Sequence, residues 1–389
     1  KTTHMTSSLM TTPFSRRVAA AVVLTFVLML SGAWVTDLNA GAACQGWPLC
    51  AGGLQSGLAW LAFAHRVLTL LAALALTSVF VRAWRSQYER PLHLAAATAM
   101  GVLFAGQVLI GALKVTRTAS IELAGLHAAL TAALWSVLVL LAAVTWLQPG
   151  SLAEEQAALR RERPQGRARL GAFIALNKPI IVALLLVTTY AGMVVGGERI
   201  PELALTFWTM LGGALAAGGA SALNQYIDRS IDGSMQRTAT RPLPSGRLTP
   251  AEGLAYGIGA CLAAFFLLAG FVNLLAAVLS VAGMIYYVVL YSILLKYTTT
   301  QNIVIGGGAG AIPPLVGWAA ATGSLNIPSI FLFALVFMWT PPHFWALALV
   351  RRKDYARAGV PMLPVVEGEA QTRLQIFIYT LEMVALTLL

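Results

Sequence analysis

The sequence predicts an all-α protein that crosses a membrane many times. Three observations carry that expectation. Only 11% of the 389 residues are charged, against 58% hydrophobic, with mean hydropathy +0.76; a soluble domain carries about 25% charged residues to cover its wet surface. The apolar residues fall in blocks of roughly twenty, the length that crosses a hydrocarbon core, at 18–34, 60–81, 123–146, 180–195, 260–281 and 330–350. The basic residues gather in alternate loops between those blocks. The formal charge of +11 therefore reads as positive-inside orientation rather than as a nucleic-acid surface, and no nucleic-acid partner is expected.

The elements follow in order. Arg16 and Arg17 precede the first block. A secretory leader would look similar, but Ala-x-Ala-like sites are poor before Cys44 and further spans follow at once, so the block reads as an uncleaved span with a cytoplasmic N-terminus. It delivers Cys44 and Cys50 to the outer side, where a disulfide persists. The second span returns to Arg82, Arg85 and Arg90, and the third exits near Gly111. The loop 114–120 departs from the charge rule with Lys114 and Arg117. The fourth span ends before Arg160, Arg161 and Arg163, with Arg167 and Arg169 close behind. This basic stretch divides the chain into a four-span domain at 1–148, a cytoplasmic linker at 149–170 and a second helical domain at 171–389.

In the second domain a fifth span is expected over 173–195 and a sixth ending near Asn224, followed by a polar loop at 233–249. A hairpin turned outside near Asn273 returns to Lys296. Spans from Ile303 and Ile330 return to Arg351, Arg352 and Lys353, and a last span starts near Leu374. The sequence given stops at Leu389 inside an apolar run, which suggests further helices beyond it. Cys261 lies inside an apolar block and reads as core.

Asn224, Asp228 and Asp232 recur at i, i+4 and i+8, which on a helix places them on one face over roughly 12 Å. Two carboxylates and an amide suit a hard divalent cation, and Mg²⁺ commonly shares its sphere with substrate phosphates. Arg237, Arg241 and Arg247 follow, and converging arginines clamp a diphosphate. The residues alone leave open a plainer reading, in which the acids cap a helix or meet cytoplasmic lysines. A second polar cluster holds Lys353, Asp354 and Tyr355, after Pro341 and Pro342. Consecutive prolines are expected to break the ladder of their span, as tolerated where backbone lines a cavity. Lys296 to Asn302 and the glycines from Gly306 form a third element on the same side. His343 would either ligate a haem or satisfy backbone freed by the prolines.

Residues 176–373 resemble the protohaem farnesyltransferases (haem O synthases) of the UbiA superfamily. The matching stretches are Asn177-Lys178-Pro179, the motif from Asn224 to Asp232, the run from Met235 through Arg237 and Arg241 to Leu243, the run from Asn302 to Gly307, Trp339 to Trp345, and Asp354 to Pro364. The resemblance implies a UbiA-type helical bundle, with about seven of nine spans present, and transfer of the farnesyl group of farnesyl diphosphate to a vinyl carbon of haem b. It implies Mg²⁺ at Asn224, Asp228, Asp232 and Asp354, with Lys353 among the catalytic candidates. Lys178, Arg237, Arg241 and Lys296 would hold the diphosphate, and His343 the haem. Tyr226, Tyr286, Trp339 and Trp345 are candidate aromatic walls for an allylic cation, although each singly also suits an interfacial belt or core.

In the first domain His65 and His127 lie at a similar depth near the outer ends of the second and fourth spans, as two axial ligands of one haem would, although either histidine alone also suits a bond to a neighbouring helix. The run from Gly32 to Cys50, with His65-Arg66 and Leu126-His127, resembles the first half of haem A synthase. That resemblance implies haem ligation by both histidines. Ala62 stands where family members often place a glutamate, so haem binding is expected and haem oxidation is not. A haem A synthase half-protein or cytochrome oxidase assembly factors are the partners this implies, besides farnesyl diphosphate, haem b and the bilayer. The alternatives are a UbiA-type prenyltransferase of an aromatic quinone precursor, which usually carries a second Asp-rich motif that the single Asp354 does not make, and a b-type haem membrane protein. The expected location is the inner (plasma) membrane, with the prenyltransferase site facing the cytoplasm.

Overall fold

The computed structural model describes residues 12–116, 121–147 and 164–388. The basic stretch at Arg160, Arg161 and Arg163, the loop position Arg117 and most of the expected linker lie outside these residues. The chain divides into two compact units, Lys1–Arg161 and Glu162–Leu389. Among the described residues all regular structure is helical. Ten helices among the described residues are long and apolar enough to cross a membrane, and the protein is a multi-pass membrane protein.

The first unit is a four-helix bundle of α1 (Pro13–Asp37), α2 (Gly57–Ser86), α3 (Pro91–Thr116) and α4 (Ile121–Leu147). Thr12 caps α1, its hydroxyl accepting from the Ser15 amide at 3.1 Å, and Pro13 supplies a preset φ at the first position. Ser56 caps α2 in the same way through Ala59. Each helix packs on its two neighbours in a closed ring, α1 on α2, α2 on α3, α3 on α4 and α4 on α1. This places α2 and α4 at opposite corners. Leu76, Leu94, Met100, Leu138 and Leu141 fill the interior. The long apolar faces left outside, such as Leu70 and Leu74, meet lipid rather than water.

The second unit begins with α5 (Gly166–Leu176) and α6 (Pro179–Gly197). The sequence suggested one span over 173–195; the structure breaks it at Asn177 and Lys178. Pro179 disfavours the right-handed helical region at the residue before it, and Lys178 adopts φ 50°, ψ 62°. Next comes α7 (Leu203–Asp232), which runs past the expected end at Asn224, so the polar motif is the last turns of a helix and not a loop. A capping box of Thr249 and Glu252 starts α8 (Pro250–Phe271). Asn273 caps α9 (Leu274–Ile285), which continues as a π-helix over Tyr286–Leu295.

The remaining helices are α10 (Asn302–Gly306), α11 (Gly308–Thr322), α12 (Ile327–Val350), α13 (Arg352–Arg357), α14 (Leu363–Val366) and α15 (Gly368–Thr387). Against expectation, Pro341 and Pro342 leave α12 continuous. They remove two amide donors, while the Thr340 hydroxyl bonds the Val336 carbonyl at 2.7 Å. The segment expected as a seventh span of this unit forms α15, which packs on α12. Among the described residues six helices of this unit are long and apolar enough to cross, and α15, which carries Glu369, Arg373 and Glu382, is not one of them.

Candidate active site

The end of α7 presents the site. Asn224, Asp228 and Asp232 are 3%, 2% and 3% exposed, and burying two carboxylates costs heavily unless each is paired. Asp228 accepts at one oxygen from the Asn224 amide at 2.8 Å and from the Lys296 ammonium, and at the other from the Tyr297 hydroxyl at 2.6 Å. Asp232 accepts from the Arg241 guanidinium at 2.6 Å. The Thr238 hydroxyl closes the following loop onto the Asp232 carbonyl at 2.9 Å. Lys178 reaches the same group from the break between α5 and α6. It donates to the Asn224 amide oxygen at 2.9 Å and to the Tyr287 hydroxyl at 3.3 Å.

The electrostatics follow from this packing. Burial lowers the pKa of the Lys178 ammonium and the nearby Arg241 charge adds to the effect, while the Asp228 and Asp232 carboxylates oppose it and favour the charged form. Burial, then the hydrogen bond to Asp228, raises the Tyr297 hydroxyl well above the usual range, so it stays a donor. Three cations thus converge on two carboxylates, an arrangement with positive charge in hand for an anionic ligand.

The π-helix supplies much of this side. Its i→i+5 spacing lets the Ser292 hydroxyl bond the Tyr287 carbonyl at 2.9 Å while accepting from the Asn224 amide at 3.0 Å. Tyr287 and Tyr291 stack with centroids 5.8 Å apart. Such π segments collect at functional sites. Tyr287, Ser292 and Tyr297 were missed in the sequence; Tyr297 adjoins Lys296, but nothing in the residue pattern announces a π-helix.

Other expected residues stand apart. Arg237 is exposed and Lys353 likewise. Arg247 bonds its own loop at the Thr240 carbonyl, 2.6 Å. Asp354 pairs with Arg357 at 3.7 Å in a surface cleft lined also by Lys353 and Glu369. Its neighbour Tyr355 nevertheless packs on the same core cluster as Tyr297, around Ile303, Ala348 and Met362. The aromatic candidates from the sequence face elsewhere. Tyr226 packs on Leu176 and Leu243 under Arg229, and Tyr286 bonds the Ile305 carbonyl at 2.6 Å. Trp345 is buried edge-on to Tyr379. Trp339 is exposed and stacks on His343 at 4.3 Å. His343 itself is exposed and, among the described residues, bonds none of the backbone freed by the prolines.

The donor set fits a hard divalent ion. Its members are buried oxygen donors spaced by single turns, enough for Mg²⁺, which keeps waters and takes phosphate oxygens rather than needing a full protein cage. Among the described residues no group of three or more His, Cys, Asp or Glu stands ready as a cage.

In the first unit His65 on α2 and His127 on α4 occupy opposite corners of the ring. The Ser31 hydroxyl lies 2.8 Å from His65 Nδ1, and the Gln107 amide lies 3.3 Å from His127 Nε2. Among the described residues His127 Nδ1 is buried without a partner. Glycines flank both rings, Gly32 beside His65 and Gly111 beside His127, where an added Cβ would come within 3.1 and 3.3 Å of the imidazoles. Gly101, earlier on α3, faces Phe80. Cys44 and Cys50 form a disulfide, and Arg66 grips that loop through the carbonyls of Cys44 at 2.6 Å and Pro48 at 3.1 Å. Ala62 packs beneath it with Cys44 and Ala40.

Comparison with known proteins agrees with this division. Residues 185–389 match the UbiA prenyltransferase family, and residues 2–139 match a family described as cytochrome oxidase assembly protein. The chain belongs to the UbiA prenyltransferase family, a class of membrane prenyltransferases. Among its relatives, the Protoheme IX farnesyltransferase of Roseiflexus sp. (strain RS-1) is 46% identical over 388 residues, covering 95% of this chain and 72% of the relative. That of Roseiflexus castenholzii is 43% identical with the same coverage. Protoheme IX farnesyltransferase 1 of Natronomonas pharaonis is 39% identical, covering 95% and 84%. A solved UbiA homolog from Archaeoglobus fulgidus, bound to DMAPP and Mg2+, aligns at 16% identity and TM-score 0.47 over 55% of this chain and 75% of its own.

Proposed function

We propose that the second unit transfers the farnesyl group of farnesyl diphosphate to a vinyl carbon of haem b, making haem O. The observation that supports this best is the buried junction of Lys178, Asn224, Asp228, Lys296 and Tyr297, in a chain whose relatives carry the name Protoheme IX farnesyltransferase. In the reaction the bond between farnesyl C1 and the diphosphate oxygen breaks, and the electron pair leaves with the diphosphate. The allylic carbon bonds the vinyl carbon, and water adds to the neighbouring carbon with loss of a proton.

Lys178, Lys296 and Arg241 present fixed positive charge to the departing diphosphate, and their preorganisation is worth more in a site shielded from water. Arg237, whose charge acts on Lys178, extends that positive charge from the exposed side. Asn224, Asp228 and Asp232 would hold Mg²⁺, which neutralises charge on the leaving group. The stacked Tyr287 and Tyr291 rings supply an aromatic face beside Lys178. His343, bare and stacked on Trp339, is the residue of this unit offered to haem b. The site faces the cytoplasm in an inner (plasma) membrane, given the alternation of basic loops.

The first unit binds a b-type haem between His65 and His127. Ser31 holds the Nδ1 of His65 and leaves its Nε2 for iron, as outer hydrogen bonds orient metal-binding imidazoles; the Gln107 amide would give way at His127.

Incubating the full-length protein with haem b, farnesyl diphosphate and Mg²⁺, then identifying products by mass, tests the first assignment. The expected product is haem bearing a hydroxyethylfarnesyl group; recovery of unmodified haem alone, from protein shown to be folded, refutes it.

A further inference from the structure

The break before Pro179 is held by side chains that take no part in the farnesyl transfer itself. The Leu176 carbonyl, at the end of α5, accepts from the Ser221 hydroxyl at 2.8 Å and from the Gln225 amide at 2.7 Å. Both donors lie on α7, one turn apart, and are 5% and 0% exposed. The next residue, Asn177, is also fixed on two sides. Its amide oxygen accepts from the Tyr256 hydroxyl at 2.9 Å, and its amide nitrogen donates to the Phe173 carbonyl at 2.9 Å. Gly218, a turn before Ser221, leaves the slot that Asn177 occupies; a Cβ there would overlap the Asn177 amide.

Lys178 then takes its left-handed conformation. A non-glycine residue there is strained, and such strain persists where surrounding structure over-determines it. The bonds just named do so. They also share one carrier with the target of Lys178. Gly218, Ser221 and Gln225 grip residues 176 and 177, while Lys178 reaches Asn224, the immediate neighbour of Gln225. Anchor and target ride on the same helix, so the height of the ammonium over Asn224 and Asp228 is set by two hydrogen bonds to one carbonyl.

We propose that Ser221 and Gln225 are positioning residues for diphosphate recognition, which place Lys178 over Asn224 by holding the Leu176 carbonyl. This rests on the farnesyl-transfer reading of the site. They touch no reacting atom. Their effect is on the fit of the cationic group to the diphosphate, where a displacement of an ångström is costly.

The test uses full-length Ser221→Ala and Gln225→Met, each removing one donor at little change in volume, with Ser221→Thr keeping the hydroxyl. The KM for farnesyl diphosphate, kcat, the melting temperature, and the affinity for inorganic diphosphate with Mg²⁺ are measured. Expected are a KM and a diphosphate Kd raised about tenfold in Ser221→Ala and Gln225→Met. In both, kcat stays within about threefold of the parent, and Ser221→Thr restores KM to within about twofold. A lowered melting temperature with unchanged KM and Kd shows a purely structural clamp and overturns the proposal. A fall in kcat at unchanged KM overturns it as well. If the parent protein fails to bind inorganic diphosphate, the reading of the site falls and the proposal with it; if the parent binds and both variants bind equally, the proposal alone falls.

Discussion

Lys178 donates a 2.9 Å hydrogen bond to the side-chain oxygen of Asn224, 46 residues further along the chain. The bond joins a helix break to the last turns of α7 and gives the site its third cation. Removing that cation should be felt at diphosphate binding before chemistry. Lys178→Ala is expected to raise the KM for farnesyl diphosphate by about one to two orders of magnitude, since hydrogen bonds to charged groups contribute roughly 1.5–3 kcal/mol. Lys178→Arg should recover part of it. Steady-state kinetics at saturating haem b checks both; an unchanged KM in Lys178→Ala removes Lys178 from the diphosphate site.

Asp228 and Lys296 form a buried ion pair, the carboxylate 1% and the lysine 17% exposed. Breaking such a pair from one side strands a buried charge and costs about 3–5 kcal/mol. Lys296→Met should therefore lower the melting temperature sharply. The double variant Asp228→Asn with Lys296→Met should regain much of that stability yet transfer no farnesyl. Thermal unfolding in detergent, paired with product assays, separates the two effects. Additive losses of stability would show that the pair is not coupled.

Metal dependence gives a third expectation. Chelation should abolish transfer, and added Mg²⁺ should restore it, because the diphosphate leaves with charge that three cations only partly balance. Asp232→Ala should raise the Mg²⁺ concentration needed for half-maximal rate. A variant that retains parental rate and parental Mg²⁺ dependence would dissociate Asp232 from the metal.

In the first unit, the full-length protein loaded with haem b should give a six-coordinate low-spin spectrum. His65→Ala and His127→Ala should each turn it high-spin or lose the pigment. Ser31→Ala should weaken retention less, since it removes only the hydrogen bond that orients His65. A spectrum unaltered by both histidine variants would leave those rings a packing role.

Much of this fold is legible in the sequence because the membrane leaves few choices: runs of twenty apolar residues become helices, and Arg16, Arg82 and Arg351 mark where spans turn. The spacing of Asn224, Asp228 and Asp232 likewise announces one helical face, and Lys178, Arg241 and Lys296 were named beside it. What stayed hidden depends on backbone departures that composition does not encode. A helix was expected through Lys178, where Pro179 forces a break, and a broken helix at Pro341, where α12 runs on. Of the aromatic residues, Tyr286 was named, whereas its neighbour Tyr287 meets Lys178; the residue types do not separate the two.

Between Ile285 and Lys296 the chain is wound as a π-helix. The i→i+5 winding takes up chain that an α-helix of the same rise would not hold. A segment that reverted to ordinary winding at unchanged length would carry the Ser292 hydroxyl away from the Tyr287 carbonyl. It would also change the phase at which the chain leaves toward Lys296 and Tyr297, the two residues that reach Asp228. The pairing of that carboxylate is therefore set by the winding of the helix as much as by the residues it carries.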